Sequence, residues 1–218
     1  MGVDVKDTKR TPSARWTPKS GAGRARILFL VVSIAALVVA PCGAAPPYTT
    51  STLTVELPDV TLIDQDAQLV TLRELVEGEE VVMVDFIFGT CTTICPILSA
   101  GFTNLQRRMG SGPGGPVLIS FSIDPEHDSP EIMTKYLKRY RAQPGWSFLT
   151  GTRDDIDLVM RAFDAYVPDK MSHQPISFIK IGASNQWLKI DGLVSTADLL
   201  AELEKIREGG SDSEGVQP

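Results

Sequence analysis

"FIFGTCTTICPIL", residues 86–98, is an apolar and aromatic run that breaks into two cysteines four positions apart, Cys91 and Cys95, with Pro96 directly after the second. Working back, "EVVMVDFIF" (residues 80–88) is nearly continuous in apolar side chains and of strand length, the pattern of a strand buried on both faces. Working forward, Leu98, Phe102, Leu105 and Met109 recur at helical spacing, and a proline at the start of that segment suits the first turn of an amphipathic helix. The stretch therefore reads as a central strand, two thiols, and a helix.

Further outward the same alternation continues. "VTLIDQDAQLVTL" (residues 60–72) has two β-rich runs around Asp64-Gln65-Asp66 and predicts a hairpin. "VLISFSID" (117–124) is a second buried strand. "SPEIMTKYLKRYRA" (129–142) is a helix with Ser129 as cap and Pro130 at its first position. "WSFLTG" (146–151) is a third strand, and "TRDDIDLVMRAFDAY" (152–166) a helix capped by Thr152. "ISFIKIG" and "QWLKIDG" form two strands with a turn at residues 183–185, and "STADLLAELEKIRE" (195–208) is a last helix. Strands alternating with helices and closing on a hairpin plus helix imply an α/β sandwich with a mixed sheet. A strand followed by two thiols at a helix start is the thioredoxin arrangement, so the expected fold class is a thioredoxin-like sandwich with a mixed central sheet, preceded by a membrane segment.

That segment follows from charge and hydropathy. Residues 1–26 hold seven basic and two acidic side chains, net +5 in a chain of net −6, which leaves −11 for the remainder. An acidic body offers no footprint for nucleic acid, whose binding rests on clustered Lys and Arg. Ile27 to Ala45 carries no charge over nineteen residues, close to the length that spans a bilayer. A cleaved secretory signal is the alternative, with Cys42-Gly43-Ala44 as small residues for cleavage. Removal of about 44 residues exceeds the ~15–30 of an ordinary signal, which favours a retained anchor. Either way the domain is exported, with the basic residues 1–26 on the cytoplasmic side. The expected organisation is a basic cytoplasmic segment at 1–26, an anchor or signal at 27–45, a tether at 46–54, the folded domain at 55–207 and a disordered tail at 208–218.

Cys91 and Cys95 are then the two thiols of the exported domain, Cys42 lying in the apolar span. A disulfide four residues wide closes almost no loop and adds little stability. On a helix, positions i and i+4 lie about 5–6 Å apart at Cβ, looser than the ~3.5–4.5 Å of a relaxed disulfide, so the spacing leans towards capture of a metal ion by two thiolates. A helix start lowers a thiol pKa through unpaired N–H groups and the helix dipole. Two thiolates suit soft Cu(I), and an imidazole extends the set to oxidised copper. Of the two histidines, His127 in "DPEHDSP" reads as a solvated loop residue. His173 in "KMSHQPISF" lies in the turn before a core strand, the loop best placed to face both thiols. Met171 reads as a core or surface methionine. Asp124, at the carboxyl edge of the second core strand, either orients the histidine, shapes a partner surface, or with Asp128 only holds the turn.

Together the motifs resemble the Sco/SenC family of membrane-anchored, thioredoxin-like copper proteins that help assemble cytochrome c oxidase. The resemblance rests on Cys91-Thr92-Thr93-Ile94-Cys95-Pro96, on "SIDPEHDSPE" (122–131), on "WSFLTG", and on the later histidine, in that order. It departs where Thr92-Thr93 stands for the Pro-Asp pair of many members and where Ser172 precedes the histidine in place of a frequent aspartate. The resemblance implies copper, as Cu(I) or Cu(II), held by Cys91, Cys95 and His173, with a copper-accepting oxidase subunit and a thiol–disulfide reductant as partners. A thiol–disulfide oxidoreductase using Cys91 and Cys95 is the competing expectation.

Overall fold

The structure, a computed structural model, describes residues 48–79 and 81–211. The expected membrane segment at 27–45 and the basic segment before it lie outside these residues, and no helix among the described residues is long and apolar enough to cross a membrane.

A six-stranded sheet organises the domain, with β1 (Tyr48–Thr54), β8 (Gln186–Gly192), β7 (Ile176–Lys180), β4 (Val82–Ile87), β5 (Val117–Ser122) and β6 (Trp146–Leu149) side by side in that order. β4, β5 and β6 run parallel, while β7, β8 and β1 are antiparallel additions, so the sheet is mixed as expected. β4 is the strand read from "EVVMVDFIF", and all six of its residues are buried. The expected hairpin is β2 (Thr61–Ile63) and β3 (Leu69–Thr71), a separate two-stranded sheet. It leads into a short helix α1 (Leu72–Val76) that the sequence pattern left unassigned.

Side chains alternate across the sheet, and the two faces are packed differently. On one, Phe163, which follows α4 (Arg153–Ala162), makes ring contacts with Phe86, Phe121, Phe178 and Trp187 at centroid distances of 5.0–6.3 Å. On the other lie α2 (Cys95–Met109) and α3 (Pro130–Tyr140), joined by the buried Ser99–Tyr136 hydroxyl pair at 2.7 Å, and Phe102 of α2 meets Trp146 of β6 edge-on. The predicted apolar stripe of α2 is real: Leu98, Phe102 and Leu105 are buried and Met109 packs against the core.

Three expectations are corrected. The tether at 46–54 is largely β1, paired with β8 along its whole length. Its burial is mostly exposed, as suits an edge strand held by backbone pairing, so it left no apolar pattern to read. At the other end α5 (Thr196–Ser211) runs past Arg207 into the expected tail. Ser129 does occupy the cap position of α3, but its hydroxyl donates to the Glu131 carboxylate at 2.6 Å instead of accepting a backbone N–H. Thr152 caps α4 as expected, accepting from the Asp155 N–H at 3.1 Å.

Candidate metal and thiol site

Parallel strands deliver their following loops to one edge of the sheet, and the site is built there, beyond the carboxyl ends of β4 and β5. After Ile87 the chain turns through Gly89 and Thr90, and the Cys91 N–H closes the turn on the Phe88 carbonyl at 3.1 Å. Cys95 is the first residue of α2, with Pro96 next, where a missing N–H costs nothing. Cys91 therefore precedes the helix, and the two sulfurs meet through the turn and not along a helix face as the spacing suggested. Both thiols are free and buried.

The pair is electrostatically unequal. Burial pushes the Cys91 thiol up, but hydrogen bonds from the Cys95 thiol, the Thr93 and Cys95 backbone N–H groups and the Thr93 hydroxyl outweigh it, leaving Cys91 below its ordinary value. The Thr93 hydroxyl is 3.6 Å from the Cys91 sulfur. Cys95, with no exposed surface, goes strongly the other way through burial, then through donation to Cys91 and the nearby charges of Cys91 and Asp85. Cys91 is thus the more acidic thiol of the pair and Cys95 the one that holds its proton.

Asp85 was not singled out in the sequence, although a lone carboxylate in an otherwise apolar strand is a visible signal. It is fully buried on the α2 side of β4 and neither carboxylate oxygen makes a well-formed hydrogen bond. Burial raises its pKa to about 7, the Ser120 hydroxyl on the adjacent strand offsetting part of the rise.

His173 follows the 3-10 turn Lys170–Ser172 and precedes β7, the turn expected of it. β7 runs antiparallel to β4, so its leading end lies at the carboxyl end of β4, and the ring sits beside the Phe86 carbonyl. Burial lowers its pKa, the Phe86 carbonyl partly opposing this, so the imidazole is neutral and its nitrogen lone pair available. Nε2 is buried and makes no hydrogen bond. The ligand atoms of Cys91, Cys95 and His173 do not form a group closed to within 4.8 Å; among the described residues Asp124, Glu126 and His127 form such a group. That second cluster is already neutralised: the Asp124 carboxylate accepts from Lys170 Nζ and, at 2.9 Å, pairs with His127 Nδ1, while Glu126 pairs with Arg153. Its chemistry is that of an ion-pair network.

The "SIDPEHDSPE" motif does more than hold a turn. Asp128 is buried, accepts from the Gly89 N–H at 3.0 and 3.1 Å, and accepts from the Ser122 hydroxyl at 2.6 Å. The Ser122 oxygen in turn accepts the Asp124 N–H at 3.1 Å. Asp124 is buried, and its carboxylate meets Lys170 and His127 and not His173. His127 is exposed on 68% of its side chain, as a solvated loop residue should be, and Met171, at 74%, is a surface methionine.

A thioredoxin-like fold with a free, unequal dithiol at the first turn of the helix after its central strand, and a buried unpaired imidazole beside that strand, defines a class of thiol proteins equipped for soft metals or for disulfide exchange. The family model described as SCO1/SenC matches residues 51–207, and the chain belongs to that family. The SCO1 protein homolog of Bacillus subtilis (strain 168) is 36% identical over 145 residues, covering 63% of this chain and 74% of that one. The solved structure of BsSco, a member of the Sco family of cytochrome c oxidase assembly proteins in which a disulfide switch was identified, is 31% identical with a TM-score of 0.59, covering 72% of this chain and 95% of the other. Bradyrhizobium japonicum ScoI, solved with copper bound, shares the fold at 24% identity and a TM-score of 0.55, covering 67% of this chain and 96% of that one.

Proposed function

We propose that the chain is a copper metallochaperone that delivers copper to the dinuclear copper centre of cytochrome c oxidase during assembly. Copper is its cargo, held by Cys91, Cys95 and His173. The observation that carries this reading is the buried Nε2 of His173, which makes no hydrogen bond at the strand end that bears two free thiols. A buried nitrogen without a partner costs about 1–3 kcal/mol, and a metal ion repays that where a solvated histidine would gain nothing. Thiolate sulfur and imidazole nitrogen together are the donor set that accepts both oxidation states of copper. The Bacillus and Bradyrhizobium relatives, by oxidase assembly and by bound copper, support the same reading.

The chain's own residues prepare the exchange. Cys91, the more acidic thiol, loses its proton more readily, Cys95 gives up its proton when a cation arrives, and the neutral imidazole needs no proton loss. Oxidation of the pair removes both thiolate charges, so a partner reductant resets the site. Residues 27–45 anchor the domain at a membrane on its exported side, where the oxidase subunit receives the cargo. The inequality of the thiols supports a second reading, exchange through a mixed disulfide with Cys91 attacking and Cys95 resolving. Copper transfer separates the two: the loaded, reduced chain mixed with an apo oxidase copper domain should lose one equivalent and generate the acceptor's spectrum. A chain that reduces the acceptor's disulfide but moves no copper belongs to the second reading.

A further inference from the structure

The turn that carries His173 is short and mostly in solvent. Asp169, Met171, Ser172 and Gln174 are exposed, while His173 is buried and Lys170 half-buried, so two side chains of the turn point into the body. Its shape is fixed internally: Asp169 Oδ1 accepts from the Met171 N–H at 2.9 Å, and the Ser172 N–H donates to the Asp169 carbonyl at 2.9 Å. Its position is fixed by Lys170. The ammonium donates to Asp124 and lies 5.4 Å from the centre of the Phe88 ring, a cation–π distance. Asp124 is buried and held below the usual carboxylate range: burial opposes this, and the Lys170 and His127 contacts outweigh it. Through its own N–H, Asp124 is linked to Ser122, from there to Asp128, and from Asp128 to the Gly89 N–H, two residues before Cys91. One continuous chain of hydrogen bonds thus runs from the thiol loop to the histidine turn.

We propose that Lys170 is a positioning residue for His173, and that the Gly89–Asp128–Ser122–Asp124–Lys170 chain sets the spacing between the imidazole and the two thiols. The inference rests on His173 as a copper ligand, and it goes beyond that reading by assigning the histidine's placement to a lysine three residues upstream. The physical argument is one of entropy. A three-residue turn in solvent samples many positions unless something ties it down, and a partly buried ion pair reinforced by an aromatic face ties it more firmly than an exposed pair would.

The test uses the reduced full chain with Lys170→Met, Lys170→Arg, His173→Ala and the double variant Lys170→Met/His173→Ala. Lys170→Met keeps the stem against Phe88 and removes the charge. Cu(II) affinity should fall by about 10–100-fold, the range seen when a supporting contact of a metal ligand is lost, with a shifted thiolate-to-copper absorption band and Cu(I) affinity nearly unchanged. Lys170→Arg should restore most of the loss. In the His173→Ala background, Lys170→Met should have no further effect on Cu(II), because nothing remains to position. An equal loss in that background, or tighter Cu(II) binding from removal of a positive charge, overturns the proposal. A copper-independent readout separates this from failure of the ligand assignment: hydrogen exchange of the Met171, Ser172 and His173 amides in the metal-free chain should accelerate in Lys170→Met and not in His173→Ala. Unchanged exchange overturns the proposal even if copper binding behaves as expected. If His173→Ala leaves Cu(II) affinity intact, the ligand assignment fails, and faster exchange in Lys170→Met still establishes the tether.

Discussion

Replacing Asp85 by Asn should remove from the chain's stability a contribution that falls as pH rises. Asp85 is wholly buried, its oxygens lack well-formed hydrogen bonds, and burial raises its pKa from 3.8 to about 7. The folded state therefore holds a proton that the unfolded chain releases throughout the interval from about pH 4 to pH 7. With more protons on the folded side, the slope of unfolding free energy with pH is negative. This group's contribution is fully present below about pH 4, declines by at most about 1.4 kcal/mol per pH unit, and is gone above about pH 7. A shift of about three units corresponds to about 4 kcal/mol. Asn places an uncharged amide in the same space, and whatever its packing costs, that cost does not vary with pH. Urea unfolding of both chains, with the thiols kept reduced, should show the stability of Asp85→Asn rising relative to the parent by about 4 kcal/mol between pH 4 and pH 8. A difference between the two that stays constant within about 1 kcal/mol across that range would refute the reasoning.

Other outcomes follow from the same geometry. Gly89→Ala should destabilise the chain by about 1–3 kcal/mol, because an added Cβ would lie 2.7 Å from Oδ1 of Asp128, a carboxylate whose Oδ2 is anchored by the Ser122 hydroxyl and which cannot swing away freely; denaturant midpoints check it. Iodoacetamide at pH 7 should label Cys91 well before Cys95, since the thiol with the lowered pKa is slightly exposed and ionises more readily, while the raised one is sealed; peptide mass spectrometry that finds Cys95 labelled first refutes the assignment. Oxidising the pair to a disulfide should abolish tight copper binding, read by metal analysis after dialysis, because neither sulfur then carries thiolate charge.

Most of the sheet was legible because burial on two faces writes itself into composition: β4, β5 and β6 are apolar runs, and α2 carries its stripe at Leu98, Phe102 and Leu105. β1 was not, since an edge strand exposed on most of its residues is held by backbone pairing with β8, which no side chain advertises. The thiols and His173 were legible from spacing and position. Their setting was not. That Cys91 precedes the helix depends on the Gly89–Thr90 turn, and the linkage of Lys170 to Asp124 spans 46 residues of sequence. Asp85 was readable as a lone charge in an apolar strand, but its lack of a partner is a property of packing.

The central claim is that His173 completes a copper site with the two thiols, and the most direct measurement is Cu(II) affinity of the reduced chain beside His173→Ala. The parent should bind one copper per chain with a thiolate-to-copper charge-transfer band. Loss of the imidazole should lower Cu(II) affinity by at least the ~10–100-fold typical of weaker perturbations, with Cu(I), held by two thiolates, affected less. Equal Cu(II) affinity in the two chains would contradict the account, and a simultaneous collapse of thiol–disulfide exchange in His173→Ala would assign the histidine to thiol chemistry instead.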